Sequence, residues 1–206
     1  YDAVVANPPY MGGKGMNIKL KKFAKDNYPC SKSDLFAIFI ERGFLWLKET
    51  GFNSMVTMQS WMFLSSYERM RENILDNYTI ENMVHMGNGV MKIAFGTNAT
   101  IFRNLHMGCY KGFYSYVENS DVKEDGEPYQ FPIMNDRLTT VEAYNFKKIP
   151  GSPIAYWVSE KFINTFHDIP SLSSAAKTLA GMQTGDNDLL TRYWFEVEAI
   201  NTAFNC

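Results

Sequence analysis

Between residues 1 and 86 the chain switches back and forth between the period of a strand and the period of a helix, which restricts its fold more than any other property. Tyr1-Asp2-Ala3-Val4-Val5-Ala6 is a short apolar run stopped by Asn7-Pro8-Pro9, the pattern of a buried strand. Residues 7–13 read as a turn and 14–32 as a basic loop. Ser33 or Asp34 can cap a helix whose Leu35, Phe36, Phe39, Leu45, Trp46 and Leu47 cover a broad apolar face. Gly51 is placed to end that helix in the C′ role. Residues 52–58 read as the next strand. Ser65 and Glu68 have the spacing of a capping box for a helix running to about Asp76, and Thr79–Met86 is a third strand. A β-loop-α-β-α-β order predicts an α/β fold with a parallel sheet and crossover helices.

Beyond residue 86 the pattern changes. Lys92–Phe95, Thr97–Arg103 and Cys109–Val117 read as strands with short connections, hence as antiparallel additions at one sheet edge. Residues 1–117 are therefore expected to form one unit. Residues 118–170 read as a peripheral insert with a connecting amphipathic helix near Ser159–Phe166, and 170–190 as a Ser/Gly/Asp-rich linker.

The chain has 206 residues, 46% of them apolar and 15% aromatic, enough for a single core. The formal net charge is only −2, but its distribution is uneven. Lys14, Lys19, Lys21, Lys22, Lys25 and Lys32 face only Asp26 in their stretch, whereas 118–127 is acidic. Cys30, Cys109 and Cys206 show no metal-ligand spacing and read as free buried thiols of a reducing cytoplasm. His85, His106 and His167 are isolated, and no metal is expected. No apolar run reaches a membrane span and no signal-peptide pattern is present. The chain starts inside a strand, so it is expected to be an excised piece.

Ligands of open α/β sheets bind beyond the carboxyl ends of the strands. Asn7-Pro8-Pro9-Tyr10 occupies such an end, and Gln59-Ser60-Trp61 occupies another. The first motif suits a flat ring carrying an amino group. The lone pair of such a nitrogen is delocalised, and acceptors on its N–H bonds free it for attack. The Asn7 side-chain oxygen and the Pro8 carbonyl are candidate acceptors. The two prolines stiffen the turn, and Tyr10 offers a stacking face. This points to methyl transfer onto an exocyclic or side-chain amide nitrogen.

These residues, with Lys-Ser-Asp-Leu-Phe-Ala-Ile-Phe-Ile-Glu-Arg-Gly (32–43), Gln-Ser-Trp-Met (59–62), Ala-Phe-Gly-Thr-Asn-Ala-Thr-Ile-Phe-Arg-Asn (94–104) and Gly-Met-Gln-Thr-Gly-Asp-Asn (181–187), carry a family resemblance. The chain resembles the gamma-arrangement N6-adenine DNA methyltransferases, above all the methylase subunits of type IIG restriction–modification and bacteriophage-exclusion (BREX) systems. The resemblance implies the C-terminal part of a Rossmann-like methyltransferase fold, S-adenosyl-L-methionine as methyl donor and double-stranded DNA as partner. It further implies other defence-system subunits as partners and the start of a target-recognition region at 171–206. Asn7, Pro8 and Pro9 would hold the target amino group, Tyr10 would stack on a flipped adenine, and Phe95 would pack against that base from its edge. Phe39 would border the adenine of the cofactor. Lys14, Lys19, Lys21, Lys22 and Lys25 would contact DNA phosphates. The family's glycine-rich cofactor loop precedes the Asn-Pro-Pro-Tyr strand. Gly12-Gly13-Lys14-Gly15 does not replace it and reads as a flexible hinge, so the stretch alone is expected to bind cofactor poorly and to be inactive. The same motif serves protein glutamine or RNA N-methyltransferases, and a non-catalytic DNA-binding module is the third alternative. An exposed sheet edge could also pair two copies.

Overall fold

A computed structural model of the chain describes residues 1–130, 136–177, 179, 185 and 191–198. Its principal elements are β1 (Ala3–Ala6), α1 (Ile18–Asn27), α2 (Leu35–Trp46), β2 (Phe52–Met58), α3 (Glu68–Asn77), β3 (Thr79–Met86), β4 (Thr97–Arg103), β5 (Lys111–Val117), β6 (Thr139–Glu142), α4 (Tyr144–Lys147) and α5 (Glu160–Asp168). The chain divides into two compact units, 1–169 and 170–206. In the second, short 3-10 turns at Leu172–Ser174 and Trp194–Glu196 are described. The 181–187 motif and Cys206 fall outside the described residues, apart from Gly185.

The six strands lie in the order β1-β2-β4-β3-β5-β6. β1 and β2 are parallel, as are β3 and β5, whereas β4 runs antiparallel to both of its neighbours. The α/β expectation holds, and two details of it change. Thr97–Arg103 is an interior strand, wedged between β2 and β3, with Thr97 opposite Met58 on one side and Met86 on the other. The connection from β3 is too short for a parallel crossover, so the chain must come back antiparallel. The open flank of β2 receives it. β5 is parallel to β3, not antiparallel, and the antiparallel edge strand is β6, which lies within the stretch read as a peripheral insert. Lys92–Phe95 is not a strand: a 3-10 turn spans Val90–Lys92, entered through Gly89 at φ 86°.

The basic stretch is not all loop either. Asn17 accepts from the Leu20 N–H and starts α1, which packs Ala24 and Leu20, together with Met16 and Tyr28, against Ile38 and Leu35 of α2. Asp34 caps α2, as expected, but the helix ends at Trp46 rather than running to Gly51, which closes a turn onto Lys48. Leu45 and Trp46 are exposed, and Arg42 lies 5.0 Å from the Trp46 ring. The Ser65/Glu68 capping box does not form, because Ser65–Tyr67 winds as a 3-10 turn before α3.

The main core gathers Phe36, Ile40 and Phe44 of α2, Met70 and Ile74 of α3, and Met55, Met83, Phe102 and Tyr114 of the sheet. Phe146, Ile154 and Tyr156 belong to the same cluster. One buried cation organises this joint. Arg71 on α3, 1% exposed, donates to the carbonyls of Trp61 and Leu64 at 2.9 and 2.7 Å and to Gly151 at 2.6 Å. Five N–H donors in a rigid fork let one side chain serve two separate turns. No helix among the described residues is long and apolar enough to cross a membrane.

Candidate active site

β1 delivers Asn7–Tyr10 to the carboxyl end of the sheet. Pro8 is buried while Asn7 is exposed, and among the described residues nothing hydrogen-bonds the Asn7 side-chain amide. The loop behind it is held by α2. Asp34 accepts from the Met11 N–H at 2.9 Å and from the Phe36 N–H at 3.2 Å, so one carboxylate caps the helix and anchors the turn. Leu35 N–H to Met11 carbonyl and Gly13 N–H to Ser33 carbonyl complete the seam. Gly12–Gly15, read as a hinge, is thus a hydrogen-bonded turn. Burial raises the Asp34 carboxyl above its usual range, partly offset by the backbone donors around it.

Tyr10 is half-buried, and its hydroxyl reaches the Val56 carbonyl at 3.2 Å. Its ring meets Phe36 edge-on at 6.1 Å and Phe95 at 5.8 Å with an interplanar angle of 62°. Phe95, 38% exposed, therefore stands beside Tyr10 although 84 positions separate them in sequence (95 less 10, less one). Burial also raises the Tyr10 phenol, which stays protonated and uncharged at neutral pH. The arrangement is an exposed amide next to a clamped aromatic face with a second ring at its edge. Such a site can accept hydrogen bonds from an amino group while stacking its heterocycle.

Of the other predicted residues, Phe39 is half-buried on α2 against the main core. Lys14 is exposed in the turn after the motif, and Lys19, Lys21, Lys22 and Lys25 are exposed along α1. The buried side of α1 carries Ala24 and Leu20, so Lys22 projects on the opposite face with Lys19 and Lys25 flanking it.

Sequence reasoning missed the polar framework behind the rim. Asn98, at the start of β4, accepts from Thr57, Trp61 and Thr100 at 3.2, 3.3 and 2.7 Å, which fixes the Gln59–Met62 turn. His85 is buried between the Tyr156 hydroxyl at 2.9 Å and the Gln59 Oε1 at 2.7 Å. Burial pushes it down to about 4, so it is neutral. A cavity of about 690 Å³ opens on this same rim, lined by His85, Tyr116, Tyr156 and Trp157 but not by Asn7 or Tyr10. No local pattern betrays these partners, because, apart from Thr100 with Asn98, each pair is more than twenty residues apart. Of the cysteines read as buried, Cys109 is exposed and Cys30 half-buried.

Residues 1–91 match the family model described as "Eco57I restriction-modification methylase". The chain is 49% identical over 203 residues to the adenine-specific methyltransferase BrxX of Escherichia coli O9:H4 (strain HS), covering 96% of this chain and 16% of that protein. It is 37% identical over 213 residues to the adenine-specific methyltransferase PglX of Lacticaseibacillus casei (strain Zhang), covering 99% of this chain and 18% of that one. The chain thus spans less than a fifth of the length of the curated relatives it matches. Among solved structures, one described as the basis of complex assembly and conformational transition of the type I restriction–modification system shares the fold. It has a TM-score of 0.57 and 17% identity, over 84% of this chain and 40% of its own. With both relatives matched along nearly its whole length, the chain belongs to the adenine-specific methylase family of restriction–modification systems.

Proposed function

We propose that the protein containing this chain is a cytoplasmic defence-system enzyme that methylates adenine N6 in double-stranded DNA, acting on a base rotated out of the duplex. Rotation costs a few kcal/mol of stacking, which a slot walled by Tyr10 and Phe95 offsets in part. The Asn7 side-chain oxygen and the Pro8 carbonyl accept the two N6 hydrogens, which localises the lone pair on nitrogen. S-adenosylmethionine would supply an electrophilic methyl group on a sulfonium centre. Phe39, with part of its ring outside the core, fits one wall for the adenine of that cofactor, though one ring is not a cradle. The chain's own contribution is positioning and fixed dipoles. The exposed lysines of α1 neutralise phosphates on the approaching duplex.

One observation carries this reading: the Asn7 amide is exposed and, among the described residues, unengaged beside a clamped tyrosine ring. In the full-length protein, Asn7→Ala should abolish methyl transfer to DNA, followed as tritium incorporation from labelled cofactor, and leave DNA affinity within about twofold. Near-normal turnover by that variant would remove Asn7 from the chemistry and the reading with it.

A further inference from the structure

Phe95 can edge the Tyr10 ring only if the corner Phe95–Gly96 is fixed, and both ends of Gln59 fix it. The Gln59 N–H donates to the Gly96 carbonyl at 3.0 Å. Its side-chain amide packs against Gly96, so close that a Cβ there would stand 2.2 Å from Oε1. Only glycine leaves room for that contact, since real Cβ atoms do not approach so near. The amide is held in turn from behind. His85, at the penultimate position of β3, meets Gln59 Oε1 through Nε2 at 2.7 Å, and its Nδ1 meets the Tyr156 hydroxyl at 2.9 Å. A neutral imidazole has one donor and one acceptor. With the Gln59 oxygen facing it, the proton sits on Nε2 and the phenol donates to Nδ1. Every member of the chain Tyr156–His85–Gln59–Gly96 therefore has one defined orientation.

We infer that His85 and Gln59 are positioning residues that set the width of the base slot, by fixing the Phe95 ring against Tyr10. Neither touches the reacting nitrogen. The inference rests on the functional reading above, because it gives these residues a task in holding a flipped base. Two features separate this pair from ordinary buried polar residues. It joins the ends of two strands at the rim, and it terminates on the glycine next to the ring that faces Tyr10. A slot a fraction of an ångström too wide still admits the base but no longer holds N6 in line, so turnover suffers more than binding.

The test uses the full-length protein. In Gln59→Leu and His85→Leu, kcat should fall about ten- to a hundredfold while the Kd for DNA changes by less than about threefold. 2-Aminopurine at the target position should fluoresce more strongly in both variants, because a loosely held base escapes quenching by the rings. His85→Gln keeps an N–H close to where Nε2 stands and should restore kcat to within about threefold of wild type. Trifluoromethylphenylalanine at position 95 gives a 19F signal that requires no turnover, and it should shift in Gln59→Leu. Wild-type kcat and an unmoved 19F line in Gln59→Leu would overturn the inference. Equal loss of activity and of thermal stability in His85→Gln and His85→Leu would overturn it too, since that marks a purely structural role. Should Asn7→Ala keep its turnover while the 19F line still moves, the reaction has been misread and the pair stands.

Discussion

The Tyr10 hydroxyl donates to the Val56 carbonyl at 3.2 Å, which ties the loop after β1 to β2 one residue past the point where those strands stop pairing. The ring is thus held at three places, by this bond, by Phe36 and by Phe95. Tyr10→Phe keeps the stacking face and loses one neutral hydrogen bond, worth about 1 kcal/mol. Its kcat/KM on DNA should drop no more than about tenfold. Tyr10→Ala also loses base stacking of about 1–3 kcal/mol, and should fall well below the phenylalanine variant. Equal kinetics for the two would mean the ring does not stack on the base.

Asp34 joins helix capping to site geometry, so its variants should separate stability from charge. Asp34→Ala removes the cap and the anchor for Met11 and should cost about 1–2 kcal/mol in urea denaturation. The carboxyl is raised by burial, the backbone bonds opposing it only partly. Its linked contribution is therefore full below the ordinary carboxylate range and is lost as pH rises through the raised value. Asp34→Asn retains an acceptor without the charge, and should flatten that part of the stability–pH curve while keeping most of the stability at neutral pH.

Among the described residues Arg71 bonds only carbonyls and no carboxylate, and burial lowers its basicity, opposed by Glu68 and Glu72. Arg71→Ala leaves several buried carbonyls without donors and opens a void. A loss of roughly 3 kcal/mol or more is expected. Arg71→Lys can reach only part of the set and should fall between. Equilibrium denaturation of the full-length protein measures both, and a loss below about 1 kcal/mol for the alanine would show that water replaces the fork.

Lys19, Lys22 and Lys25 form the outward face of α1. Lys22→Gln combined with Lys25→Gln should weaken duplex binding by a similar factor for all sequences and reduce the slope of log K against log salt by about two. An unchanged slope would take α1 off the DNA.

The sequence made the α/β class and the first three strands readable because their apolar runs are short and punctuated by Pro, Gly and Asp. Asn7–Tyr10 was legible as a stiff turn at a strand end, and Asp34 for its place just before an apolar run. α1 was hidden because its lysines mask an apolar side of only Leu20 and Ala24. The interior place of β4 could not be read, since the residues of an inserted strand look the same as those of an edge strand. His85 looked isolated because its partners, Gln59 and Tyr156, are 26 and 71 positions away.

Until Thr97–Arg103 is in place, β2 and β3 have nothing to join them across the middle of the sheet, and Phe95 has no fixed corner from which to face Tyr10. Assembly of the slot is accordingly all-or-none in this strand. A nascent polypeptide that has not yet released residue 103 from the ribosome carries Asn7–Tyr10 and Phe95 but not the strand that sets the two rings against each other, and so should lack the paired Tyr10–Phe95 rings.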